Sequence, residues 1–413
     1  MSRLDELIAE LCPNGVEYRT LGDCAEYVRG VVYNKSAEIN DNSEGYKILR
    51  ANNISLNTNT LNFDDVKVIS KSVKVSPRQM LSKDDILICA GSGSKEHIGK
   101  VAYIESDMDY TFGGFMGVVR CNKLIHSKYL FHMLTGCLFK QHLEKTLNSS
   151  TINNLNSSVM NSFKIPVPPL PVQEEIVRIL DNFAELTAEL TAELSKRKQQ
   201  YQYYRDMLLT FNDIKATSQT DRQTDRQTAI NSVVWRQIID ICEISRGKVI
   251  SKDYIRNSIG DYPVYSSQTE NEGELGRIST YMHDGEYITW TTDGANAGSV
   301  FYRFGKFSIT NVCGLLKIID NNILTKYVYY SLCRVTKEHV NSGMGNPKLM
   351  SNMIAKIKIP VPPLEEQKRI VAILDRFDAL CNDLTSGLPA EIEARKKQYE
   401  YYRDKLLTFK EAV

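Results

Sequence analysis

Two short loops carry the residues in this 413-residue chain whose types and spacing best suit chemistry, and that chemistry is recognition. Gly91-Ser-Gly-Ser-Lys-Glu-His97 and Thr291-Thr-Asp-Gly-Ala-Asn296 each follow an apolar run that reads as a strand, Ile86–Cys89 and Tyr287–Trp290. Ser92, Ser94, Lys95 and His97 in the first loop, and Thr291, Thr292 and Asn296 in the second, are short polar or cationic groups on glycine-flexible backbone. They suit phosphate and base-edge contacts, and Asn296 has the donor–acceptor pair that matches an adenine edge. Arg29 and Arg246, each followed by glycine, are candidate phosphate contacts, as are Lys47, Arg50, Lys248 and Lys252. Ser266-Ser267-Gln268 is a further candidate loop. Any one of these positions could equally be an ordinary surface turn.

Catalytic motifs fail one by one. Gly93–Lys100 resembles a phosphate loop, but five residues separate Gly93 from Gly99-Lys100 where four are needed, and Val101 follows where Ser or Thr would hold the metal. Both Pro-Pro pairs follow valine (Val167, Val361), whereas an amino-methyltransferase motif needs Asn or Asp before them. Glu366-Gln-Lys368 could pass for a nuclease fragment, yet its counterpart is Val172-Gln-Glu174. The 9 cysteines contain no Cys-x-x-Cys pair and the 6 histidines no cluster, so no metal site, no cofactor and no catalytic residue are expected in this chain. Scattered cysteines, a charged N-terminal segment and no apolar run of about 18 residues predict a cytoplasmic protein off the membrane.

Net charge is +1, from 51 basic and 50 acidic side chains, so no overall field draws the chain to a polyanion. DNA binding would need local patches or a partner.

The elements that would hold the loops are duplicated. Lys164–Phe183 and Lys358–Phe377 share 14 of 20 residues, and Arg197–Phe211 and Arg395–Phe409 share 12 of 15. Each copy opens on Lys-Ile-Pro-Val-Pro-Pro-Leu, whose prolines predict a stiff extended strut before a helix. Tyr18-Arg19 with Glu26-x-x-Arg29-Gly30 recurs 217 residues later as Trp235-Arg236 with Glu243-x-x-Arg246-Gly247. The first helix, about Pro171 to Phe211, has an apolar line through Phe183, Leu186, Leu190, Leu194, Tyr201 and Leu208. The second repeats it through Phe377, Leu380, Leu384, Leu388, Tyr399 and Leu406, is longer by four residues, and carries Gly387-Leu388-Pro389, which predicts a kink or brief break. A stripe this narrow needs a second helix, so the two copies are expected to pair as a coiled coil. The four-residue difference is expected to add one turn, roughly 6 Å, so that the pair acts as a ruler.

These readings divide the chain into a globular domain over 1–165 with a short N-terminal helix, a helix over 166–211, and a polar linker over 212–232. A second globular domain over 233–359 and a C-terminal helix over 360–413 complete it. The fold class is mixed α/β: two globular α/β domains joined by two long antiparallel coiled-coil helices, an internal repeat with pseudo-twofold character.

The Ile-Pro-Val-Pro-Pro-Leu-x-x-Gln joint, the Arg-Lys-x-Gln-Tyr-x-Tyr-Tyr-Arg-Asp helix ends and the Glu-x-x-Arg-Gly starts resemble the DNA-specificity subunit of type I restriction–modification systems. The resemblance covers essentially the whole chain and is most specific in the joint and helices. It implies two target recognition domains that read the halves of a bipartite double-stranded DNA site. It implies helices that dock two modification subunits, which bind S-adenosylmethionine and methylate adenine, and restriction subunits that use ATP and Mg. Helix length would set the gap between half-sites. A specificity chain cut from a fused methyltransferase or nuclease, and a coiled-coil scaffold that binds no DNA, are the alternatives.

Overall fold

The computed structural model describes residues 2–39, 45–56, 58–92, 95–147, 154–211, 233–341, 345–383 and 385–412. The expected linker 212–232, and with it Ser94 and Leu384, lie outside the described residues. The chain forms two compact units, Met1–Leu190 with Ile392–Val413, and Thr191–Glu391. Each unit combines one globular block, the start of the helix that leaves it, and the far end of the other helix.

In the first unit the strands are β1 (Tyr18–Thr20), β2 (Ala25–Arg29), β3 (Glu38–Ile39), β4 (Gly45–Leu49), β5 (Lys67–Ser70), β6 (Ile86–Cys89), β7 (Val101–Tyr103), β8 (Tyr110–Phe112), β9 (Met116–Cys121) and β10 (Lys164–Pro166). They make sheets in the order β2-β9-β6-β7, β3-β5-β4-β8 and β1-β10. In the second unit they are β11 (Val234–Gln237), β12 (Cys242–Arg246), β13 (Tyr262–Tyr265), β14 (Glu274–Ile278), β15 (His283–Thr291), β16 (Val300–Ile309), β17 (Cys313–Ile318) and β18 (Lys358–Val361). Here β16 is 10 residues long and does the work of β7 and β8 together, giving one six-stranded sheet, β12-β17-β15-β16-β13-β14, beside the pair β11-β18. In the central strand β6 all four residues are buried, which is why it reads as an unbroken apolar run.

The proline strut is a strand. Pro166, Ile165 and Lys164 pair with Tyr18, Arg19 and Thr20, and Val361 to Lys358 pair with Val234 to Gln237. Proline has no N–H to offer a further neighbour, so each ribbon stops at two strands. The two motifs duplicated in the sequence, Tyr/Trp-Arg and Ile-Pro-Val-Pro-Pro, are therefore each other's partners.

Beyond the strut a glutamine fastens each block to its helix. Gln173 and Gln367 are both buried. Gln173 Nε2 donates to the carbonyls of Leu124 (3.1 Å) and Pro168 (2.7 Å), and its Oε1 accepts from the His126 amide (2.7 Å). Gln367 repeats this with Asn322 (3.0 Å), Pro362 (2.9 Å) and the Leu324 amide (2.9 Å). Nearby, the Tyr129 and Tyr327 hydroxyls donate to the carbonyls of Pro166 and Pro360. Lys128 pairs with Asp181 at 3.0 Å and Lys326 with Asp375 at 2.7 Å.

One place in this fastening differs between the units. His132 is buried between Tyr399 Oη (2.9 Å from Nδ1) and Asp181 Oδ1 (3.0 Å from Nε2), where Tyr330 donates its hydroxyl to Asp375. Burial holds the His132 imidazole below its usual range, against the upward pull of Asp181. As pH drops through ~6.5 the unfolded chain takes up a proton here more readily than the folded unit, so stability decreases as pH is lowered, by at most about 1.4 kcal/mol per pH unit. The first unit should lose resistance to denaturant between pH 7.5 and 5.5. His132→Tyr should flatten that slope, and a slope identical in the variant would disprove the assignment.

The first long helix runs unbroken over Leu170–Thr210, 41 residues. In the first unit Phe183 stacks on Tyr402 with centroids 5.4 Å apart, and in the second Phe377 stacks on Tyr204 at 5.5 Å. Tyr201 also meets Phe377, while Leu208 and Leu209 share a buried cluster with Ile370 and Leu374. Rising numbers on one helix meet falling numbers on the other, the mark of an antiparallel pair. Tyr399 and Leu406 pack on the core of the first unit. Leu190, Leu194 and Leu388 are half-buried, but Leu186 and Leu380 remain 37% and 38% exposed. An apolar line one side chain wide, flanked by Thr, Ala and Glu, leaves these two pairing candidates partly in solvent.

The second copy does not gain a helical turn. It consists of two 19-residue helices, Leu364–Asn382 and Leu388–Leu406, so the four extra residues fall in a break. Asp383 accepts from the Thr385 amide (2.7 Å) and hydroxyl (2.6 Å) and from the Ser386 amide (3.3 Å). Bonds from Ser386 and Thr385 hold its carboxyl below the usual carboxylate range. Gly387 donates to the Asp383 carbonyl, and a Cβ there would lie 2.6–2.9 Å from three helix-end carbonyls. The break therefore requires glycine.

Candidate nucleic-acid interface

In each block four chain segments converge at the end of the main sheet. In the first they are the end of β2, the loop after β6, the turn Gly113–Phe115, and Asn154-Leu155. Leu155 donates to the Ala90 carbonyl (2.7 Å), and the Ala90 and Gly91 amides both donate to the Phe115 carbonyl (2.8 and 3.0 Å). The second block repeats the plan: Leu349 donates to the Thr292 carbonyl (2.9 Å), and Thr292 to that of Val312 (3.2 Å).

The glycine after each arginine makes this convergence possible. A Cβ at Gly30 would stand 2.1 Å from the Gly113 carbonyl oxygen, and one at Gly247 would stand 2.2 Å from that of Ile309. The backbones cross so closely that only glycine fits.

The arginines themselves part company. Arg29 spends its guanidinium inside the fold, on Asn154 Oδ1 (2.9 Å) and the carbonyls of Leu155 (2.8 Å) and Gly114 (2.7 Å). It latches the tip together, which corrects its expected role as a phosphate contact. Arg246 is exposed, as are Lys248 and Lys252, and among the described residues none of the three makes an ion pair. These remain open to phosphate.

Other candidates are also occupied. Arg50 pairs with Asp65 at 2.7 Å, and Lys47 sits 5.4 Å over the Tyr110 ring. Thr291 and Thr292 are buried, their hydroxyls donating to the carbonyls of Asn296 and Val312, so both build the turn and are withdrawn as base contacts. Asn296 is exposed and gives one amide hydrogen to Thr269 Oγ1 (3.0 Å). That leaves its Oδ1 and second hydrogen for a ligand. Gln268 donates to the Glu274 carbonyl, Ser266 Oγ accepts from Thr310, and Ser267 is half-buried. Ser92 and His97 are half-buried at the first tip, while nothing of the Lys95 side chain is described.

Two features were missed in reading the chain: the glutamine lock and the apolar residues Val32, Phe115 and Val249 at the tips. The repeated Gln of the joint and the shared Arg-Gly-x-Val pattern were the signals for them.

The model of the type I restriction modification DNA specificity domain matches this chain twice, over residues 13–197 and 232–394. The chain belongs to that family. Each match covers one block, its strut and part of a long helix, so the duplicated frame is the family's domain used twice. The specificity subunit of the type I restriction enzyme MpnII of Mycoplasma pneumoniae is 38% identical over 318 residues, covering 63% of this chain and 93% of that protein. The EcoR124I/EcoR124II specificity subunit of Escherichia coli is 35% identical over 272 residues, 60% of this chain and 63% of that one. A type I restriction–modification S subunit from M. genitalium superposes with a TM-score of 0.56 at 14% identity, covering 95% of this chain and 96% of that one, a likeness of fold. This is a type I DNA-specificity subunit with two recognition domains, and no described helix is long and apolar enough to cross a membrane.

Proposed function

We propose that each block reads one half of a split double-stranded DNA site, and that the paired helices carry two modification subunits while restriction subunits join the complex. The observation behind this reading is the contrast between frame and tip. The glutamine locks, tyrosine bonds and lysine–aspartate pairs repeat in both units, whereas the loop after β6 (90–100) and its counterpart after β15 (292–299) differ in length and in sequence. A repeated frame with unlike tips fits one docking geometry used on two targets. Methyl transfer and cleavage fall to the partners, which would hold S-adenosylmethionine, ATP and Mg; this chain contributes binding, orientation and a cytoplasmic, non-catalytic role.

A genome-wide map of modified adenines, made with and without this gene in the presence of its partner subunits, tests the reading. Loss of one motif with two short defined halves around a fixed gap is expected. An unchanged map would favour a scaffold that binds no DNA.

A further inference from the structure

Valine stands three residues after each tip arginine, and both valines point into solvent. Val32 is 86% exposed and Val249 81%. In the first block Phe115, 71% exposed, lies beside Val32: a Cβ on its neighbour Gly114 would fall 2.9 Å from Val32 Cγ2. Scattered apolar residues on a surface mean little. Here the exposure recurs at one position of a duplicated frame, on backbone pinned by the glycine crossing and next to the candidate loops.

Charge says what covers them. Arg246 and Lys248 in the second block precede Val249 in the chain and are exposed cations with no ion pair among the described residues, and Lys35 stands exposed three residues after Val32 in the first. An apolar tip rimmed by free cations fits a polyanion that also presents apolar groups in a groove. Duplex DNA offers both, phosphates along the rim and thymine methyls and base faces within.

We infer that Val249, and the Val32–Phe115 pair, are base-contacting residues that set sequence preference by apolar contact, with Lys248 holding phosphate beside them. This rests on the two-domain DNA reading above. It gives each residue a distinct signature. Loss of an apolar base contact relaxes preference at a position and leaves the salt slope alone; loss of a phosphate contact does the reverse.

The test uses the full chain in complex with its modification subunits, on duplexes carrying the motif mapped for the wild type. Val249→Ala should reduce discrimination about tenfold at one or more positions of a single half-site, with the other half intact. Val32→Ala with Phe115→Ala should do the same in the opposite half. Lys248→Gln should lower the salt slope by about one and keep the base preference. All three sites are exposed, and an unchanged thermal midpoint checks that each variant is folded. Wild-type preference at every position in both valine variants, or equal loss in both half-sites, overturns the inference. A wild-type complex that reads no split motif overturns the two-domain reading and the inference with it, a result visible before any variant is made.

Discussion

Gln173→Ala should cost the first unit about 2–3 kcal/mol, because it strands the buried Pro168 carbonyl, at about 1–3 kcal/mol, and unpairs two part-buried backbone groups that water can reach. The Leu124 and Pro168 carbonyls lose their donor and the His126 amide its acceptor, at a place where block, strut and helix meet. Gln173→Glu is the sharper probe. It preserves volume but turns a donor that faces two carbonyls into an acceptor, so it should be no better than alanine. Gln367→Ala should do the same to the second unit, through Asn322, Pro362 and Leu324. Hydrogen exchange resolved by segment would follow each unit separately. In the assembled complex each variant should erode one half-site and spare the other. A loss under 1 kcal/mol in both would show that water replaces the amide, and that the lock holds nothing.

The lock also shows where sequence reading succeeds and where it stops. The struts and helices were legible because their causes are local: proline fixes its own φ, apolar residues recur at helical spacing, and Gly387-Leu388-Pro389 announces the break within a few positions. Even so, local reasoning gave the strut as a stiff extended segment before a helix and named no strand to pair with it, since its partner at Tyr18–Thr20 lies about 145 residues away. It likewise counted four extra residues as one more turn, because only the structure shows Asp383 capping them into a break. The tips were least legible. Arg29 and Arg246 sit in the same motif, yet Arg29 finds Asn154 and Leu155 across 125 and 126 residues while Arg246 makes no ion pair among the described residues. Whether a polar group faces a ligand or the fold depends on those distant partners, which spacing does not encode. Thr291 and Thr292 failed for the same reason: strand-end threonines suit DNA as well as they suit a turn.

Deleting Thr191–Leu194 should change the gap in the DNA site and nothing else about it. These residues are the second of two tandem Thr-Ala-Glu-Leu units, inside the unbroken helix Leu170–Thr210. Removing four residues shortens the helix by roughly 6 Å and rotates its C-terminal portion by about 40° beyond a full revolution. The apolar line survives, because Leu190 then stands where Leu194 stood. With a DNA step of about 3.4 Å, the preferred gap should contract by about one or two base pairs. The old motif should be lost from the methylation map and a shorter one appear, its halves unchanged. The expectation belongs to the first helix alone, since the four residues that distinguish the second copy lie in the break and contribute no helical rise. Altered half-sites would contradict the ruler, because the deletion touches neither tip. An unchanged gap would contradict it too, and would mean that the partners, not this helix, set the separation.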